Sequence, residues 1–83
     1  LEGSRYRIAH WQLDYHKPSI GVPTSVLRTT GFGPNIFALE SFVDELAAAA
    51  RMDSLAYRRA LLSHDARALR VLDRVAAASH WGM

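Results

Sequence analysis

Apolar and polar positions change rhythm once along the chain. Trp11, Leu13 and Tyr15 alternate with Gln12, Asp14 and His16, the period of two expected of a half-buried strand. Tyr6 and Ile8 alternate in the opposite phase, which predicts a bulge or bend near Ala9 and His10. Lys17-Pro18 should end that strand, because proline cannot donate to a ladder. A second short extended segment is expected from Val22 to Leu27.

Past Gly33-Pro34-Asn35 the rhythm becomes helical. Residues 35–81 contain neither proline nor glycine and are rich in Ala, Leu and Arg. A first helix is expected over about 35–50, with Leu39, Phe42, Val43, Leu46, Ala47 and Ala50 on one stripe and Glu40, Ser41, Asp44 and Glu45 opposite. Asp53 or Ser54 can cap a second helix running to about Leu62. Ser63-His64-Asp65 reads as a turn, with Asp65 capping a third helix to about Ser79 that packs through Leu69, Leu72, Val75 and Ala76. Gly82 is its expected stop.

The predicted architecture is therefore α+β: one or two short N-terminal strands, a Gly/Pro loop, then three packed α-helices. Residues 5–34 form the strand and loop part and 35–81 the helical part of a single unit, since 83 residues leave no room for a second core. A chain of this size buries only about 60% of its unfolded surface, so modest stability is expected.

Composition narrows the function classes. Hydrophobic residues make up 49% and charged residues 22%, an ordinary globular balance that argues against intrinsic disorder. With no cysteine, a disulfide framework and any thiolate-held zinc or iron–sulfur site within these residues are excluded. No apolar run approaches the ~20 residues needed to cross a bilayer, so no transmembrane segment is expected. The compartment, cytoplasmic or periplasmic, is not encoded. The missing initiator Met and absence of a signal-peptide pattern suit a piece of something longer.

Several groupings invite chemistry. Glu40 and Asp44, one helical turn apart, can be drawn as paired carboxylates, but i,i+4 acids are more often a wet face. His10, His16, His64 and His80 show no HxxxH or HExxH spacing, so no metal ligand set is expected. Gly31-Phe32-Gly33 has neither the lysine nor the spacing of a phosphate loop. Arg58, Arg59, Arg67, Arg70 and Arg74 suggest a basic face around a helix–turn–helix. Asp65 and Asp73 interrupt it, so a solvated face and no nucleic-acid partner are the preferred reading. Tyr6, Trp11, Tyr15, Phe37, Phe42 and Trp81 are expected as core or interface anchors.

One stretch is more specific. Gly21-Val22-Pro23, Leu27-Arg28, Gly31 and Asn35-Ile36-Phe37, followed by Glu40-Ser41-Phe42-Val43-Asp44-Glu45-Leu46-Ala47, resembles the "GVP…WR…G…NAF…ESFIDELA" run of the molybdenum-binding large subunits of the xanthine dehydrogenase and aldehyde oxidase superfamily. The nearest branch is the isoquinoline 1-oxidoreductase beta-subunit type. The likeness continues through Met52 to Leu62, similar to that family's "DPxEFRxxLL" helix. It then reaches Val71-Leu72-Asp73 and Ala78-Ser79-His80-Trp81-Gly82, similar to its closing "VLD…AGWG". It covers residues 21–82. Leu27 stands where the family has Trp or Phe, and Pro34 replaces a frequent Gln.

The resemblance implies a fragment of a molybdenum hydroxylase subunit that is inactive alone. Its parent would hydroxylate an N-heterocycle or aldehyde with water as oxygen source. A small iron–sulfur subunit and the remainder of the molybdenum subunit would be its partners. The molybdenum–pterin cofactor would be held only in that parent, with Leu27, Arg28 and Thr29 as cofactor-binding residues and Thr30 or Phe32 near the substrate channel. No catalytic residue is implied here: the family's water-activating glutamate has no counterpart in these residues, and Glu40 is not it. Two other classes remain, a self-associating homo-oligomeric interaction module and a small basic helical DNA-binding domain.

Overall fold

The computed structural model describes residues 4–82, and three helices are its only regular elements: α1 (Phe32–Ala49), α2 (Ser54–Leu61) and α3 (Ala66–Ser79). The architecture is all-α, which corrects the expected α+β class. Among the described residues neither Trp11–Tyr15 nor Val22–Leu27 forms a strand. The physical reason is the lack of a partner. A strand's donors and acceptors need a second edge, and a lone pair of strands is marginal in water even with one. Alternation by itself supplies neither.

α1 begins at Phe32, three residues before the expected start. Gly33 and Pro34 sit in its first turn, where amide groups have no intrahelical acceptor and a missing proline N–H costs nothing. Its far end is a Schellman turn. Arg51 adopts a left-handed φ of 58°, Met52 N–H donates to the Ala47 carbonyl at 2.9 Å, and Arg51 N–H donates to Ala48 at 3.0 Å. Both other helices start on aspartate caps, as expected. The Asp53 carboxylate accepts from Ala56 N–H at 3.0 Å and the Asp65 carboxylate from Ala68 N–H at 3.1 Å.

α3 closes on His80, not on Gly82. His80 takes the left-handed position (φ 56°, ψ 39°), and Trp81 N–H reaches back to Ala76 at 3.0 Å. This second Schellman turn folds Trp81 back toward α2.

The core is small. Leu39, Val43 and Ala47 of α1 and Leu62 after α2 are buried, and Leu46, Leu69, Leu72 and Ala76 are half-buried around them. Phe42 and Val75, expected inside, are exposed. α2 packs against both neighbours, whereas α1 and α3 do not pack on each other. A groove of about 650 Å³ lies at that gap, lined by Tyr6, Glu40, Leu62 and Val71 among others. Residues 9–31 are exposed throughout. None of the helices is long and apolar enough to cross a membrane.

Candidate functional site

Two places concentrate polar chemistry, and only the first was anticipated. The chain runs exposed to Leu27 and then turns: Thr30 N–H donates to the Leu27 carbonyl at 2.8 Å, and Phe32 N–H to the Thr29 carbonyl at 2.8 Å. Thr29 and Thr30 both hold left-handed backbone, φ 70° and 46°. For β-branched residues that conformation costs on the order of 1–2 kcal/mol each. Gly33 makes room for it, because a Cβ there would stand 2.8 Å from the Thr29 hydroxyl oxygen.

The expected site residues Leu27, Arg28 and Thr29 all lie on this turn and all are exposed. Among the described residues their amides donate no hydrogen bond and the Arg28 guanidinium forms no ion pair. Thr30 and Phe32 are exposed beside them. The turn thus offers three amide donors and a cation to solvent, the donor set that suits an anionic or oxo-bearing group.

The second place lies between the helices. Arg58 is only 4% exposed, the one buried charged residue among those described. Its Nε donates to Glu40 Oε2 at 3.0 Å, its Nη1 to Asp44 Oδ1 at 2.7 Å and its Nη2 to the Glu40 carbonyl at 2.9 Å. A weaker contact reaches the Ser54 carbonyl at 3.3 Å. The Trp81 ring covers the guanidinium, 5.3 Å from its centroid to Cζ. The Tyr6 hydroxyl donates to both oxygens of Glu40, at 2.9 and 3.0 Å.

Burial works against the charge of Arg58, but the bonds to Asp44 and Glu40, with the nearby Tyr6 oxygen adding to them, outweigh it and push its pKa further up. Burial raises the Tyr6 pKa, with the Glu40 carboxylate adding to the rise and Arg58 offsetting part of it. Elsewhere, the backbone bond from Ala68 lowers the Asp65 pKa against some desolvation, helped by Arg5 and His64.

Glu40 and Asp44 remain partly solvated, in keeping with a wet face, but each also binds Arg58. The basic face loses Arg58, which points inward, and Arg59 pairs with Asp73. A sequence signal existed: two acids one turn apart on α1 and an arginine one turn into an amphipathic neighbour. Of the expected aromatic anchors, Tyr6 and Trp81 are half-buried and join the cluster, whereas Trp11, Tyr15, Phe37 and Phe42 are exposed. Among the described residues no three His, Cys, Asp or Glu side chains gather as metal ligands. The chain matches no protein-family model, no curated protein and no solved structure.

Proposed function

We propose that this chain is part of the molybdenum-cofactor-binding subunit of a molybdenum hydroxylase, and that the Leu27–Thr29 turn faces the cofactor there. The observation that carries the reading is that turn: an exposed arginine and three uncommitted amides, with Thr29 and Thr30 in costly left-handed backbone ahead of a helix. The donor set fits an anionic, oxo-bearing group. In this role Arg28 supplies a fixed positive charge, and the amides of Leu27, Arg28 and Thr29 supply directional donors. When bound, the molybdenum–pterin group supplies the metal centre at which a carbon is hydroxylated with oxygen from water.

Further support comes from the residues that carry the resemblance. The acids of the "ESFIDELA"-like run, Glu40 and Asp44, meet the arginine of the "DPxEFRxxLL"-like run, Arg58, in one ion-pair cluster. Two separate pieces of the motif thus have a shared physical reason for their residue types.

The test uses the whole polypeptide that the gene encodes, purified from its own cells. Molybdenum by mass spectrometry and pterin fluorescence are expected near one equivalent, and Arg28→Ala should lower molybdenum content or turnover about tenfold or more. A full-length product free of both molybdenum and pterin would overturn the proposal.

A second reading, a self-associating interaction module, is favoured by exposed apolar side chains. Leu27 is 82%, Phe37 75% and Phe32 66% exposed.

A further inference from the structure

The N-terminal segment touches the helices at few points. Tyr6 and Ile8 alone among residues 4–31 are half-buried. Three tethers hold the segment: the Tyr6 hydroxyl on Glu40, Arg7 N–H on the Leu61 carbonyl at 2.9 Å, and a pair at 3.8 Å between exposed Arg5 and half-buried Asp65. The last contributes little, being long and solvated on the arginine side. Hollows of about 590 and 650 Å³ adjoin the segment, one lined by Ile8, Trp11 and His64, the other lying between α1 and α3. The packing under the segment is therefore incomplete.

None of the buried core residues lies on this segment. Leu39, Val43, Ala47 and Leu62 all lie on or beside α1 and α2. The Arg58 bonds to Asp44, the Glu40 carboxylate and the Glu40 carbonyl do not run through Tyr6.

We infer that residues 4–8 are a releasable strap, latched by the Tyr6 hydroxyl on Glu40, that opens as a unit before the helices do. Closed, it fastens both ends of residues 9–31 to α1, one through Glu40 and the other through the peptide link to Phe32. Residues 9–31, with the Arg28 turn among them, are then a closed loop. Open, they are joined to the helices through the peptide link to Phe32, and the cleft over Leu62, Leu72 and Val75 is uncovered. The strap's low local stability follows from having one charge-assisted bond and one backbone bond to lose. The inference concerns the chain's own opening and holds whatever the Arg28 turn binds.

Amide hydrogen exchange of the whole chain tests it, comparing wild type with Tyr6→Phe, which keeps the ring and removes the latch. The Arg7 amide should exchange about tenfold faster or more in the variant, while Val43 and Ala47 amides stay within about twofold. An unchanged Arg7 amide would remove the latch from the explanation. Equal acceleration at Val43 and Ala47, or loss of helical circular dichroism in the variant, would show that the segment is integral to the fold and overturn the inference.

Discussion

Arg58 concentrates more interactions than any other side chain described. It is nearly dry, yet its acid partners are not: the side chains of Glu40 and Asp44 are 39% and 59% exposed. Removing the arginine would leave both carboxylates free to hydrate, so the penalty should fall below that of stranding a fully buried charge. Arg58→Ala is expected to cost about 2–4 kcal/mol, combining lost charge-assisted bonds with lost packing under Trp81. Arg58→Lys should recover only part of that, because an ammonium cannot serve Nε, Nη1 and Nη2 contacts at once. Urea denaturation of both variants measures the difference, and equal stability of Lys and wild type would refute the fork-like role. The titrating groups set limits at both ends of the pH scale. Tyr6 has a folded pKa above its unfolded value near 10, so its contribution is complete below pH ~10 and lost as pH rises through the higher folded value. Asp65 has a folded pKa below its unfolded value near 3.9. Its contribution is complete above that value and lost as pH falls through the folded one. Thermal melts from pH 3 to 11 should therefore show a plateau with decline at each end, and Tyr6→Phe should flatten the alkaline decline.

Among the elements, α2 is the most dependent on its surroundings. Eight residues are too few to persist as a free helix in water. Its start rests on the Asp53 cap, and its anchorage on Arg58 one turn later. Asp53→Ala should cost about 1 kcal/mol and lower helicity first in residues 54–61, read by amide exchange or by carbon chemical shifts. Since α2 is the only helix that packs on both others, its fraying should propagate to α1 and α3 together. α1 is different in kind. Its second half is anchored through Leu39, Val43 and Ala47, while its first two turns, Phe32 to Ala38, are exposed on every side. That half projects the Arg28 turn away from the core. The aspartate caps and the alanine-rich stretches of α2 and α3 were readable because capping and i→i+4 bonding are local. α1 starts ahead of its expected position because Gly33-Pro34, which reads as a break in sequence, is tolerated within a first turn.

The molecule as a whole is under-covered for its mass. Its accessible surface is 7282 Å², whereas a folded monomer of 9.3 kDa exposes roughly 5,000 Å². Its radius of gyration is 15.7 Å against roughly 12 Å for a compact unit of this length. The excess lies in residues 9–31 and the first half of α1, and it carries Trp11, Ile20, Val22, Phe32 and Phe37 into solvent. Such a surface is the kind that neighbouring protein covers. On its own, the chain should associate: light scattering across a concentration series is expected to show apparent mass rising above 9.3 kDa. A constant monomer mass up to millimolar concentration would show instead that the exposed set is tolerated.

Residues 54–79 could be read almost element by element from their order alone, since caps, helix-forming side chains and turn residues act over three or four positions. A loop between Arg28 and the first helix was also legible, because its glycines act locally. Long-range partnership settled the rest. Tyr6 finds Glu40 across 34 positions, Arg58 finds Glu40 across 18 and Asp44 across 14. Whether Trp11–Tyr15 becomes a strand depends on an edge that these residues do not contain. A pattern of alternation records which side chains would share a face; it cannot specify whether a backbone partner exists, and that is a property of the assembled chain.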